Sequence, residues 1–379
     1  MALTIGALNV HFHLQKFLPM PYFIEPITFA IDKNLLRLSR KRNIFQKIIV
    51  GSLIYHLFFS FFWLLWTQIG RPSHLRDLNE TFVYLVIVSL CTITISAYFT
   101  LEKYQNHIQY QLTQRLTLTK PLESDYSMKS LIIIGFAAIF LAFPVLTSFF
   151  PYAMEIDPVQ LVGFSLAARI NSDWNNTVYF KYSLKIFASL YYCAATCYGV
   201  GICLGILLFA IIDLEGMDKL SYRMIGHGND VRFDLCFRRF RIVRILVERT
   251  NYIMQNFMGI LLLMGIFLTV SCGFATLKMY GILQTLSYFA CPLIALVGYS
   301  YNFMHMTLAA VANRNGHKFV GVWKHKVVKK SERKELAACA RIGYAMGPIR
   351  CIKQYTAFAI ADTIINWTVS AAMIQTNNV

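Results

Sequence analysis

Charge is what this sequence has little of. Only 15% of its 379 residues are Asp, Glu, Lys or Arg, where an ordinary soluble domain has about 25%. Acids are scarcest, with 19 Asp and Glu against 36 Lys and Arg. Disorder is excluded by the 30 Phe, 21 Tyr and 5 Trp, because disordered chains lack the apolar surface that offsets ordering entropy. A cleavable signal is not expected either: MALTIGALNVHFHLQKF has no basic n-region and no compact apolar stretch ending in small residues. Phe17–Ile31 is apolar but holds three prolines and Glu25, so it is expected at the membrane surface or under a bundle rather than across a bilayer.

The signatures of catalysis are missing as well. There is no nucleotide-binding loop, no Gly-x-Ser-x-Gly, no His-x-x-x-His set and no pair of carboxylates inside an apolar run. His11 and His13 are close together but have no acidic or Cys partner nearby, and His56 and His305 are isolated in apolar runs. These histidines read as packing residues, and no metal, cofactor or enzymatic activity is expected. The nine cysteines fall in apolar runs or basic segments and read as small packing residues rather than a disulfide framework.

Apolar runs are what is there: 56% of the chain is hydrophobic. A spanning helix needs roughly 20 mostly apolar residues, since a ~30 Å hydrocarbon layer is crossed at ~1.5 Å per residue. Seven runs meet that requirement, at about Ile48–Gln68, Thr81–Leu101, Ser130–Ala153, Leu184–Ile212, Phe257–Leu277, Leu283–Ala309 and Tyr355–Gln375. The expected fold class is therefore all-α, a polytopic membrane protein of seven transmembrane helices.

Basic residues give the orientation. Alternate segments hold 30 Lys and Arg on one side and 5 on the other, with Lys185 inside the fourth run. The positive-inside rule then puts the N-terminus in the cytoplasm and the C-terminus outside. The net charge of +17 becomes a cytoplasmic feature, and nucleic acid is not needed to explain it. Two glycosylation sequons, at Asn79 and Asn175, fall on the side assigned to the exterior. The organisation expected is a cytoplasmic segment 1–47, helices one to six over 48–309, a basic cytoplasmic segment with an anchor helix over 310–354, and a last helix with a short outer tail over 355–379.

Asp362 is the one carboxylate inside a run. Ionisable groups in a bilayer face a bundle interior or a water-filled path. Asn366 follows at i+4 on the same face, and Thr368 and Ser370 extend the polar surface. Either a pore-lining helix or hydrogen bonding to neighbouring helices accounts for that stripe.

Three residues from the end, Thr368-Val369, five further residues and Gln375-Thr376 resemble the closing motif of invertebrate gustatory receptors, Thr-Tyr, five apolar residues, Gln-Phe. Thr368 and Gln375 match at the right spacing, while Val369 and Thr376 replace the aromatic residues. The seven runs, the inward N-terminus and the long basic segment before the last run agree with that family, which is related to insect odorant receptors.

The resemblance implies a tetrameric, ligand-gated, non-selective cation channel in the plasma membrane, opened by an extracellular small-molecule tastant. Its partners would be identical or related subunits, membrane lipids and permeant cations. It further implies a pore and gate at Gln375 and Thr376, with Met373 or Ile374 available where Thr376 is smaller than the family's Phe, and Asp362 and Asn366 deeper in the same helix. Aromatic candidates for the ligand pocket are Phe149, Phe150, Tyr182, Tyr280 and Tyr288. Residues Ser331–Met346 are expected to form a cytoplasmic helix that Gly347-Pro348 interrupts. Two rivals stand beside this reading: a G-protein-coupled receptor of opposite topology, and a non-conducting membrane scaffold of the same architecture.

Overall fold

The structure is a computed structural model. It describes residues 28–32, 35–39, 44–69, 78–118, 157–170, 179–199 except 197, 233–280, 285–337 except 328, and 339–374 except 340, 341 and 350. The fold is mostly helical. The helices are α1 Ile44–Ile69, α2 Leu78–Leu118, α3 Pro158–Ile170, α4 over 179–196, α5 Phe233–Lys278, α6 Thr285–Lys326, α7 Lys330–Ala337 and α8 Gln354–Ile374.

One departure from the all-helical expectation precedes α1. Strands β1 Thr28–Asp32 and β2 Leu35–Ser39 pair antiparallel, with Thr28 opposite Ser39 and Asp32 opposite Leu35. Only Lys33 and Asn34 separate them, the connection length of a tight hairpin. The end of the apolar segment Phe17–Ile31, expected at the membrane surface or under a bundle, is thus a strand from Thr28 on; the rest of it lies outside the described residues.

Among the described residues, three helices are long and apolar enough to cross a membrane: Lys47–Thr67, Thr81–Gln111 and Phe233–Lys278. The expected sixth and seventh runs lie within α6 and α8, and the fourth begins within α4. The third expected run, Ser130–Ala153, lies outside the described residues.

Three helices are longer than a bilayer is thick. At ~1.5 Å per residue, the 41 residues of α2, 46 of α5 and 42 of α6 reach roughly 60–70 Å each. The extra length in α5 is its basic N-terminal half, which the sequence left as a connecting segment. Its buried residues Phe233, Cys236, Phe240, Val243, Val247, Thr250 and Met254 recur at three- and four-residue steps, so the arginines between them point outward. The C-terminal end of α6 packs on this face: Phe240 stacks on Phe319 at 4.8 Å, and Phe233 meets Trp323 edge-on at 5.3 Å. Arg249 lies over the Tyr110 ring at 5.4 Å and ties α5 to α2. In this way α5 becomes the central helix, touching α2, α6 and α8.

The cytoplasmic helix expected over Ser331–Met346 is shorter. Helix α7 ends at Ala337, residues 342–345 are neither helix nor strand, and Met346 and Ile349 bridge each other around a turn at Gly347-Pro348. Gly347 has φ +51°, a left-handed conformation that a side chain would strain.

Candidate functional site: the last helix and its neighbours

Helix α8 begins with a reciprocal cap. Lys353 N–H donates to Thr356 Oγ1 at 3.1 Å, and Thr356 N–H donates to the Lys353 carbonyl at 3.0 Å. From there Ala357, Ile364 and Thr368 turn inward toward α5 and α6, Ala357 and Ile364 being fully buried. The opposite side carries Tyr355, Asp362, Asn366, Ser370 and Met373, all exposed on the single chain. Asn366 Nδ2 donates to Asp362 Oδ2 at 3.0 Å, the i to i+4 pair that the sequence spacing anticipates.

The polar stripe therefore faces away from the described helices packed against α8. Among the described residues, Asp362 and Asn366 hydrogen-bond each other rather than a neighbouring helix. Thr368 lies on a different side from the stripe. Its hydroxyl donates to the Ile364 carbonyl at 2.8 Å, and its methyl sits against Gly273 of α5. Val369 and Met373 are exposed, and Ile374 is the last helical residue. Gln375 and Thr376 lie outside the described residues.

Before its N-terminal end the last helix is held by a polar clamp. Asn251 Nδ2 donates to the Gly343 carbonyl at 3.0 Å, while Asn251 Oδ1 accepts from Ala345 N–H at 2.9 Å. One turn along α5, Gln255 Nε2 donates to the Gly347 carbonyl at 2.8 Å, and Gly347 N–H donates to the Gln255 carbonyl at 2.9 Å. Asn313 of α6 donates to the Ile342 carbonyl at 3.0 Å. The segment has no helix or sheet to satisfy its backbone, so amide side chains of α5 and α6 do so. Gly347 and Gly259 meet backbone to backbone, since a Cβ on Gly259 would lie 2.7 Å from Gly347 Cα. Of these residues the sequence singled out Gly347 alone, as the start of the Gly347-Pro348 break; for the amide side chains the spacing Asn251 to Gln255 was the available signal.

The expected ligand aromatics are dispersed. Tyr280 and Tyr288 meet edge-on at 5.3 Å at the junction of α5 and α6, and Tyr288 OH donates to the Thr276 carbonyl at 3.1 Å. Tyr182 is exposed near the start of α4 and joins no described cluster. Phe149 and Phe150 lie outside the described residues, as do Asn175 and the side chain of Asn79, which sits in the first turn of α2.

A denser aromatic and polar group lies instead between α1, α2 and α4. The His56 ring stacks on Tyr191 at 5.2 Å and lies 5.4 Å from Tyr192. Tyr191 OH donates to Ser52 Oγ at 2.6 Å, and Tyr192 OH donates to Asp157 Oδ1 at 3.3 Å. Asp157 also caps α3, accepting from Val159 N–H at 2.8 Å and from Gln160 Nε2 at 3.3 Å. Burial pushes its carboxyl above the ordinary carboxylate range, and these hydrogen bonds pull partly the other way. Among the described residues no group of three or more His, Cys, Asp and Glu side chains could hold a metal ion.

No protein-family model and no curated protein matches the sequence. The fold does have solved relatives in shape. One is the insect olfactory receptor OR5 from Machilis hrabei, at a TM-score of 0.54 and 10% identity, over 97% of this chain and 99% of that one. Another is the same receptor in complex with eugenol, at a TM-score of 0.55 and 9% identity, over 96% of this chain and 99% of that one. At such low identity the likeness is one of fold, and it extends over nearly the whole of both chains: this is a helical membrane protein with the fold of an insect olfactory receptor.

Proposed function

We propose that the chain is a gustatory-type chemoreceptor, working as a tetrameric, ligand-gated, non-selective cation channel in the plasma membrane and opened by an extracellular small molecule. The observation that carries the proposal is the outward stripe of Asp362, Asn366 and Ser370 on α8. A carboxylate turned toward lipid is costly. The same carboxylate facing a water-filled axis between subunits is solvated and attracts cations.

In this reading the chain crosses the membrane seven times with its N-terminus inside. Four copies place their α8 helices around one pore, and Gln375, Thr376, Met373 and Ile374 form the outer gate. Asn79 and Asn175 are glycosylated. Tastant binding shifts an existing closed–open equilibrium through its differential affinity for the two states. The olfactory receptor fold, and the complex of one such receptor with eugenol, support a small-molecule receptor.

The runner-up is a non-conducting scaffold of the same architecture. It draws on Val369 and Thr376, which replace both aromatic residues of the terminal motif. Purified protein reconstituted in planar bilayers separates the two. The channel reading expects unitary cation currents that a ligand panel modulates, together with four-fold particles in electron micrographs. Monomeric particles and silent bilayers would overturn it. An extracellular N-terminal epitope tag on intact cells would instead point to the opposite-topology receptor.

A further inference from the structure

Helices α2 and α5 meet along a seam whose open side is basic and aromatic. Lys103, Asn106, His107 and Tyr110 are exposed at steps of three and four residues, so they share one face of α2. Arg249, Tyr252 and Asn256 do the same on α5. The two faces touch. The rings of Tyr104 and Tyr252 meet edge-on at 5.5 Å, and the Arg249 guanidinium lies 5.4 Å from the centre of the Tyr110 ring. The Lys103 ammonium lies 5.0 Å from the centre of the Tyr104 ring. Tyr252 is 69% exposed and Tyr110 51%, so this side of the seam is open to whatever surrounds the chain.

Its cations are available to a ligand. Among the described residues neither Lys103 nor Arg249 is paired with a carboxylate. Glu248, beside Arg249, is taken by Arg244 at 2.8 Å. Glu102 precedes Lys103 but lies about 100° round the helix from it and is half-buried.

Position selects the ligand. Lys103 follows Leu101, where the second apolar run ends, and Tyr252 precedes Phe257, where the fifth begins. At ~1.5 Å per residue Lys103 lies about 3 Å beyond the apolar layer, Tyr252 about 8 Å and Arg249 about 12 Å. Phospholipid headgroups fill roughly the first 5–8 Å beyond the hydrocarbon, a level where exposed tyrosines collect. An ammonium at the near edge of that layer meets the phosphodiester that joins a headgroup to its acyl chains. A guanidinium about 9 Å deeper is out of that phosphate's reach, and it suits a second phosphate at the far end of a longer headgroup. Phosphatidylcholine and phosphatidylserine carry none there. An inositol ring phosphorylated opposite its diester does. Arg241, about 12 Å farther along α5, is beyond any such headgroup.

We propose that the seam of α2 and α5 binds a phosphoinositide of the inner leaflet, with Lys103 on the diester phosphate, Arg249 on a ring phosphate and Tyr252 against the headgroup between them. The site goes beyond the receptor reading and borrows from it only the inward N-terminus, which names the leaflet.

The test is native mass spectrometry of the full chain, delipidated in a nonionic detergent and titrated with phosphatidylinositol 4-phosphate or with phosphatidylinositol of the same acyl chains. The first adduct of the phosphorylated lipid is expected to form at least tenfold more tightly. Arg249→Gln should bring it down to the affinity of phosphatidylinositol and leave phosphatidylinositol itself unaffected, whereas Lys103→Gln should weaken both at least threefold. Lys324→Gln, near the C-terminal end of α6, should change neither. Equal affinities of the parent for the two lipids would overturn the proposal. So would a loss in Lys324→Gln as large as that in Arg249→Gln, the mark of diffuse charge. Displacement of the lipid by an equal concentration of soluble inositol 1,4-bisphosphate would overturn it as well, since a free phosphate would then be the ligand. Should Arg249→Gln elute as aggregate, the exposed Lys103→Gln decides alone, and unchanged affinity there sinks the site. Micelles are indifferent to orientation, so lipid preference in a protein that gives silent bilayers keeps the site and removes the channel reading. Ligand-evoked currents without any lipid preference do the reverse.

Discussion

Thr368 of the last helix rests in a notch made by Gly273 of α5: a Cβ at Gly273 would lie 2.9 Å from Thr368 Cγ2 and 3.3 Å from its Oγ1. Thr368 is the first residue of the terminal motif, so the motif's threonine is spent on packing against α5 rather than on the exposed stripe. Gly273→Ala is expected to push the C-terminal half of α8 away from α5 at a cost of about 1–3 kcal/mol, the usual penalty of overpacking. The melting temperature of the purified protein should fall, and the double variant Gly273→Ala with Thr368→Ser should recover most of the loss by deleting the clashing methyl. Additive losses in the double variant would mean that the two residues do not meet.

Asp157 makes a pH prediction. Its carboxyl is raised above the ordinary 3.8 because burial penalises the charged form. A group whose folded value is raised binds its proton more tightly folded than unfolded, so stability is greatest below the ordinary value. It falls as pH climbs from there through the folded value, and it is flat above. Asp157→Asn keeps an oxygen to cap Val159 and removes the titration. Its melting temperature should therefore lose the part of the pH dependence that the parent shows just above pH 3.8. Identical pH profiles for the two proteins would show that Asp157 is not the group responsible.

The exposure of Asp362 separates folding from conduction. Asp362 hydrogen-bonds Asn366, an exposed i to i+4 pair worth about 0.2–0.5 kcal/mol. Asp362→Asn should leave the stability of the isolated subunit nearly unchanged. In reconstituted channels it should lower single-channel cation conductance and the preference for cations over anions, since the charge that draws cations to the axis is gone. A large drop in melting temperature with unaltered conductance would place Asp362 inside a packed interface instead.

The sequence announced the apolar helices better than the charged ones. Apolar content alone put the first run within α1 and the last within one residue of α8, and the spacing of Asp362 and Asn366 gave their hydrogen bond. The N-terminal half of α5 and the C-terminal half of α6 were hidden by their charge. Arg238, Arg239, Arg241 and Arg244 read as a basic connection, while the three- and four-residue recurrence from Phe233 to Met254 was the overlooked helical signal. The short α7 failed for the opposite reason. Apolar residues after Ala337 at near-helical spacing suggested continuation, but residues 342–349 are not helical and take hydrogen bonds from Asn251, Gln255 and Asn313. Tertiary partners of that kind leave no local pattern. The same holds for His56, which looked isolated because Tyr191, Tyr192 and Ser60 become its neighbours only when α1 packs on α4 and completes a turn.

The clamp before the N-terminal end of α8 gives the sharpest structural test. Gly347 has φ +51°, and a Cβ there would also lie 3.3 Å from Gly259 Cα. A Cβ on Gly259 is worse placed, 2.7 Å from Gly347 Cα and 2.8 Å from its nitrogen, and backbone cannot rotate out of the way. Gly259→Ala should therefore destabilise more than Gly347→Ala, for which the left-handed strain is about 1–2 kcal/mol. Gln255→Ala leaves the Gly347 carbonyl without its donor, at about 1–3 kcal/mol. It does not touch the bond from Gly347 N–H to the Gln255 carbonyl, which belongs to the backbone. Hydrogen exchange distinguishes the effects. Protection of Gly347 N–H should survive Gln255→Ala and be lost in Gly259→Ala, because only the second separates the two chain segments. Equal loss of protection in both variants would mean that the side-chain amide, not the glycine contact, holds the last helix to α5.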